Sequence, residues 1–135
     1  MIHHVLQPAG WARPKGYSNG VMARGRQIYI AGQIGWDGDG RFVKGGFSDQ
    51  VRQALANIVA ILAEAGAGPE HLVRLTWYVT SRAEYLTEIA AVGQAYRETI
   101  GKHFPAMAVV EVTALMEAEA KVEIEATAVI PDEEV

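Results

Sequence analysis

The sequence predicts an α+β domain in the element order β-β-β-α-β-α-β-β, with both helices on one face of the sheet. Three observations carry this. Ten of the 14 glycines lie between Gly10 and Gly46, which concentrates tight turns in the first third of the chain. Two stretches follow, Ser48 to Ala65 and Arg82 to Ile100, with apolar residues at three- and four-residue spacing. Around them run segments that alternate with a period of two.

Taken in order, a short strand is expected at Val21 to Ala23. Gln27 to Ile34 alternates: Ile28, Ile30, Gly32 and Ile34 share one parity, and Gln27, Tyr29 and Gln33 the other. Asp37-Gly38-Asp39-Gly40 tolerates positive φ and predicts a hairpin into a third strand at Arg41 to Val43. The first helix places Val51, Leu55, Ile58, Leu62 and Ala65 on one stripe, with Ser48 as its cap and Gly66 at its end. A strand at Val73 to Thr80 comes next. Ser81 and Glu84 form a capping box for the second helix, Gly101 closes it, and Leu86, Ile89, Tyr96 and Ile100 are its expected buried stripe. The last strands are Ala106 to Thr113 and Lys121 to Ile130. In the final one Val122, Ile124, Ala126, Ala128 and Ile130 face one way, and Lys121, Glu123, Glu125 and Thr127 the other.

Two helices cover only one face of such a sheet. Several strands nevertheless carry apolar residues on both parities, Trp77 and Val79 against Tyr78, and Val109 against Val110 and Val112. A monomer would then expose a large apolar patch, so a homo-oligomer packed through the bare sheet faces is expected.

Composition narrows the function. The 135 residues are one domain's worth. Twelve Lys and Arg against 16 Asp and Glu give a net charge of -4, which argues against binding nucleic acid or an anionic membrane. Cysteine is absent, which removes disulfides, thiol nucleophiles and zinc-thiolate sites. No apolar run approaches the roughly 18–20 residues of a membrane span. The N-terminus has neither the basic region nor the apolar stretch of a signal peptide, so a soluble, cytoplasmic protein is expected.

Most enzyme signatures are missing. The three serines read as helix caps (Ser48, Ser81) and a turn residue (Ser18). There is no phosphate-cradling loop and no dinucleotide fingerprint. His3 and His4 read as a frayed terminus, and His71 and His103 as surface residues without a partner at ligand spacing, so no metal is expected. Asp37-x-Asp39-Gly40 lacks the later ligands of a calcium loop. What remains is carboxylates on strands. Glu123 and Glu125 share a face, and Glu111 lies on a strand expected to pair with theirs. Alone, this reads as a solvated face with a Lys121–Glu123 surface pair of little energetic worth. At an oligomer interface, a partly desolvated carboxylate there can hold a water or act as a general base. Tyr17 can place a phenol at a pocket mouth or simply pack. Gly32, inside a regular strand, points to close approach by a neighbouring strand or a ligand. Trp11, Trp36 and Trp77 can line a pocket or pack in a core.

Four motifs occur in order: Gly16-Tyr17-Ser18-Asn19-Gly20, Ile30-Ala31-Gly32-Gln33-Ile34, Phe104-Pro105-Ala106 and Val122-Glu123-Ile124-Glu125-Ala126. Together they resemble the reactive-intermediate deaminases, the RidA or YjgF-like family, over nearly the whole chain. The resemblance implies a chorismate-mutase-like subunit with a mixed β-sheet. It also implies a homotrimer whose sheets form a central barrel, with small-molecule clefts between subunits. It implies hydrolysis of 2-aminoacrylate and related imino acids to 2-keto acids and ammonia, with no cofactor. By the same resemblance Glu123 is the water-holding glutamate, Tyr17 the cleft tyrosine and Gly32 the glycine bordering the ligand. The family's carboxylate-clamping arginine is Met107 here. The cysteine two residues on is Val109, the serine before the strand glycine is Ala31, and a polar residue of the second helix is Gly93. Met has no donor and no charge, so another cation is needed for an imino acid. Arg13, Lys15, Arg24, Arg26 and Arg41 are candidates. Met107, Val109 and Trp36 imply a more apolar cleft. The expected function is cofactor-free hydrolysis of an enamine or imine with altered specificity. The alternative is a trimer that binds a metabolite in the same cleft without turnover.

Overall fold

A computed structural model describes residues 2–132. A short ribbon pairs β1 (His4–Leu6) with β2 (Gly20–Met22). The main sheet contains β3 (Gly25–Gln33), β4 (Leu72–Val79), β5 (Ala106–Glu111) and β6 (Val122–Pro131), in the spatial order β3-β6-β4-β5. Pairing is antiparallel except between β4 and β5, so the sheet is mixed. Helices α1 (Phe47–Glu64), α2 (Arg82–Thr87) and α3 (Ile89–Thr99) complete the α+β fold.

Helix α1 forms because its apolar residues recur on one stripe. Phe47, Val51, Ala54, Leu55, Ile58 and Leu62 are fully buried, and each large one contributes roughly 1.5–3 kcal/mol by leaving water. Ala65 falls off the stripe because it is the C-cap, before Gly66 at φ +71°. The expected cap at Ser48 is replaced. Gly46 is the N-cap, and its N–H donates to Asp49 Oδ2 at 2.9 Å. Ser48 is already helical, and its amide donates to Glu88 Oε1 at 3.2 Å.

The second expected helix is two helices. Glu88, at φ -99° and ψ 16°, ends α2 and starts α3. Its carboxylate turns to the N-terminus of α1, where a negative charge is favourable. Ser81 does cap α2, its Oγ accepting from Glu84 N–H at 3.1 Å. The break also rotates the buried stripe. Leu86 and Ile89 are 49% and 47% exposed, while Val92, Ala95, Tyr96 and Ile100 are buried.

Three further expectations are corrected. The N-terminus is not frayed: His4 opens β1, and buried His3 lies with Nε2 3.3 Å from the His71 carbonyl. His71 is buried too, its Nδ1 accepting from Gly68 N–H at 3.0 Å. His103 is half-buried, its Nε2 donating to the Leu72 carbonyl at 2.8 Å. In each case the imidazole meets a backbone group at or beside the short helical turn of residues 69–71. Finally, residues 41–43 form no strand. The hairpin closes on one bridge between Trp36 and Phe42, held by Asp37 N–H to the Arg41 carbonyl at 2.9 Å.

Along β6 the alternation holds, with Val122, Ile124, Ala126 and Ala128 turned to the helices. Leu75, Trp77 and Val79 of β4 and Ile30 of β3 join them in the core. The opposite sheet face is open and more mixed than the sequence suggests. It carries Tyr29, Tyr78, Glu123, Glu125 and Thr127 beside Val110, and Tyr29 is 73% exposed.

Candidate functional site

Glu123 lies on the open face, at the centre of the sheet, because β6 runs between β3 and β4. The face of Gly32 follows from a register shift between Ile30 and Gln33. That irregularity moves Gly32 off the core parity expected for it and turns it toward Glu123. A Cβ on Gly32 would sit 2.4 Å from Glu123 Oε2, so any larger residue there would require the carboxylate to move. The close approach inferred at Gly32 is therefore made by the side chain of the adjacent strand. Ala31 precedes it, exposed, its carbonyl accepting from Gln33 Nε2 at 3.0 Å.

The neighbouring carboxylates have other duties. Glu125 Oε1 accepts from the Tyr78 hydroxyl at 2.6 Å, and this hydrogen bond raises the phenol above its ordinary value. Glu111 is not beside Glu123, because β5 pairs with β4 rather than β6. It accepts from Arg82 N–H at 2.7 Å at the start of α2. Lys121 pairs with Glu84 at 3.2 Å instead of with Glu123.

Tyr17, Met107 and Val109 meet elsewhere, around a cavity of about 550 Å³ between β5 and helices α2 and α3. Met107 and Val109 stand beside Leu75 and Trp77 across the β4–β5 ladder and so point to the helix side. Tyr17, 42% exposed, reaches the cavity because its loop is stitched to the start of β5. Ser18 N–H donates to the Pro105 carbonyl at 3.0 Å, and Ser18 Oγ to the Phe104 carbonyl at 2.5 Å. Ser18 is thus a bridge residue as well as a turn residue.

The remaining walls are Trp77, Tyr85, Ile89, Val92, Gly93, Tyr96, Arg97 and Phe104, with Lys15 and Gly16 at the mouth. Tyr96 stacks on Phe104 at 5.6 Å and on Trp77 at 6.5 Å, while Tyr85 meets Trp77 edge-on at 6.4 Å. Burial raises the phenols of Tyr85 and Tyr96, so both stay neutral. The Tyr96 hydroxyl donates to the His103 carbonyl at 2.6 Å. The indole Nε1 of Trp77 is buried without a hydrogen-bond partner among the described residues.

The sequence candidates therefore fall into two groups on opposite faces of one sheet, Glu123 with Gly32 and Ala31, and Tyr17 with Met107 and Val109. Trp36 joins neither. Its ring packs on Phe42 at 5.8 Å, and its carbonyl accepts from Asn57 Nδ2 at 2.8 Å. Of the proposed replacement cations only Lys15 lines the cavity. Arg24 is engaged by Asp132 at 2.9 Å. Two residues escape the sequence reading. Arg97 could have been found from its i,i+4 spacing to the odd helical glycine Gly93. Gln50 gives no sequence signal. It is buried, donates to the Glu119 carbonyl at 3.0 Å and accepts from Lys121 N–H at 2.8 Å, anchoring the turn that delivers Glu123. No group of three or more His, Asp or Glu among the described residues could hold a metal ion. No helix among them is long and apolar enough to cross a membrane.

The chain is similar to known proteins over most of its length. The family model described as endoribonuclease L-PSP matches residues 11–130. A goat (Capra hircus) 2-iminobutanoate/2-iminopropanoate deaminase is 38% identical over 114 residues, covering 84% of this chain and 79% of the relative. The crystal structure of YyfB from Yersinia pestis, a protein of unknown function in the conserved Rid family, superposes with a TM-score of 0.82. It is 36% identical and covers 96% of this chain and 100% of its own. The E. coli YjgF gene product gives a TM-score of 0.66 at 33% identity, covering 84% and 87%. The chain belongs to this endoribonuclease L-PSP family, the RidA/YjgF family that its motifs resemble.

Proposed function

We propose that this protein hydrolyses a reactive enamine or imine to a carbonyl compound and ammonia, without a cofactor, in clefts between the copies of a homotrimer in the cytoplasm. The observation that carries the reading is the separation of Glu123 and Gly32 from Tyr17, Met107 and Val109 by the thickness of the sheet. Packing the open face of one copy against the cavity edge of another is what would bring both groups to one ligand. The deaminase names of relatives such as the goat protein support the reaction class.

The chemistry needs little machinery. An enamine tautomerises to its imine. Water oxygen then bonds to the imine carbon as Glu123 takes a water proton, and the nitrogen takes a proton from solvent. The resulting carbinolamine gives its hydroxyl proton to solvent and expels ammonia, leaving the carbonyl. Glu123 acts as base in the first step and returns its proton to the leaving nitrogen in the second. Tyr17 and the Gly32 backbone position the substrate, and Met107 and Val109 shape the pocket toward substrates other than 2-aminoacrylate. The imines are made in situ by an amino-acid oxidase and scored by ammonia release. Glu123→Gln is expected to lower kcat by about 10²–10⁴-fold. Unchanged turnover in that variant overturns the mechanism.

A second reading has one observation in its favour: position 107 supplies no donor to a carboxylate. A trimer that binds a metabolite without converting it would show saturable binding, no ammonia release from any imine tested, and indifference to Glu123→Gln.

A further inference from the structure

The cavity between β5 and α3 has an unusual charge balance for a chain of net charge -4. Its lining includes two cations, Lys15 and Arg97, and no carboxylate. Lys15 sits beside Gly16 at the mouth. Arg97 lies in the helical wall, and its guanidinium folds back along α3 toward the N-terminus, as helical side chains do. It rests over Gly93: a Cβ there would come within 3.3 Å of Arg97 Nη1. Glycine in a helix interior is unfavourable, and here its effect is to leave the space that the guanidinium occupies.

The nearest carboxylate in sequence makes its direct contacts elsewhere. Glu98 is held by Gln94 at 3.2 Å and by Arg52 at 2.7 Å, which with the weaker field of Arg97 keep its carboxyl below the usual range. Among the described residues no ion pair or hydrogen bond occupies the Arg97 side chain. Arg97, exposed at the cavity edge, thus offers guanidinium donors to a cavity whose other walls include the rings of Tyr17, Trp77, Tyr85, Tyr96 and Phe104. Its volume of about 550 Å³ is that of clefts holding ligands much larger than a three-carbon acid.

We infer that Arg97 is the anion-binding residue of this cleft and that the ligand is an acid with a bulky planar body, the 2-imino acid of an aromatic amino acid. Binding would set the carboxylate on the Arg97 fork and the ring among the aromatic walls. The substrate class rests on the hydrolytic reading above; the anion-binding role does not require turnover.

The test uses the intact protein and two kinds of readout. Calorimetry compares phenylpyruvate, pyruvate and the uncharged phenylacetone on wild type, Arg97→Gln and Arg97→Lys. Ammonia release follows the imine generated in situ from phenylalanine. Phenylpyruvate is expected to bind at least about tenfold more tightly than pyruvate. Arg97→Gln should weaken phenylpyruvate by about 10–100-fold, leave phenylacetone unchanged, and raise KM for the imino acid far more than it lowers kcat. Arg97→Lys should restore part of the loss. Equal loss for phenylacetone and phenylpyruvate would assign Arg97 a structural role and overturn the inference, as would unchanged phenylpyruvate binding in Arg97→Gln or no binding to wild type. The hydrolytic reading fails separately. Arg97-dependent phenylpyruvate binding without ammonia release removes the enzyme and keeps the anion site. Glu123-dependent ammonia release with an unaltered KM in Arg97→Gln keeps the enzyme and removes the site.

Discussion

At the scale of single residues, the decisive contact is between a missing side chain and a present one. Gly32 has no Cβ, and Glu123 fills the space one would take, its Oε2 lying 2.4 Å from where that atom would be. Gly32→Ala must therefore push the carboxylate aside. The expected outcome is a loss of ammonia release approaching that of Glu123→Gln, with a much smaller change in melting temperature, because residue 32 is exposed. A variant with full activity would mean that Glu123 does not work from this position. Met107 invites the converse experiment. Met107→Arg adds a guanidinium to the helix-side cavity, where Met107 faces Val109 and Trp77. Turnover of the small 2-iminopropanoate is expected to rise in that variant relative to wild type, measured as ammonia released from oxidised alanine.

At the scale of elements, the break at Glu88 shows how a helix answers to its neighbours. Spacing alone reads Arg82 to Ile100 as one helix, since each half is regular. Tertiary contact with the first turn of α1 ends it at Glu88. The local signals on either side behave as their chemistry demands. Ser81→Ala should cost about 1 kcal/mol in denaturant unfolding, the usual worth of an N-cap. Gly93→Ala should stabilise α3 by up to about 1 kcal/mol while crowding Arg97, which must shift slightly, so ligand affinity should fall modestly as stability rises. The segment between α3 and β5 carries a pH signature. Burial holds His103 below its ordinary value of 6.5, opposed by the Leu72 carbonyl and assisted by His3. The folded state thus binds that proton less readily than the unfolded chain. The contribution to stability is complete above about pH 6.5 and is lost as pH falls through the lower folded value. Melting temperatures should drop as pH falls below about 6.5, and His103→Gln should remove part of that drop.

At the scale of the whole molecule, the proposal requires that one cleft be built by two copies. Mixing provides the test. Glu123→Gln and the cavity-filling Val109→Trp should each be inactive alone. Co-refolded together, they should recover about a quarter of wild-type activity, because random assembly pairs an intact Glu123 with an intact cavity in that fraction of clefts. No recovery in mixed trimers would mean that each chain carries its own complete site. The sequence was sufficient for what depends on local periodicity: the α+β class, the burial of α1, the alternation of β6 and the glycine caps at Gly66 and Gly101. Glu123 and Gly32 stood out by residue type, as a carboxylate on a strand and a glycine within one, but only the family resemblance marked them as site candidates. Their contact was not legible, since it arises from a register shift between β3 and β6, which no single strand encodes. Nor was the partner of Glu111, because strand order decides which carboxylates are neighbours. Arg97 and Gln50 look like ordinary polar residues on helices until the packing of α3 beside β5, and of α1 against the turn before β6, gives them something to face. Sequence by itself determined which residues can form each element and each chemical group, because propensity and periodicity are local. Only the tertiary structure decided which of those groups share a face, because strand order and register are long-range and are set by the core as a whole.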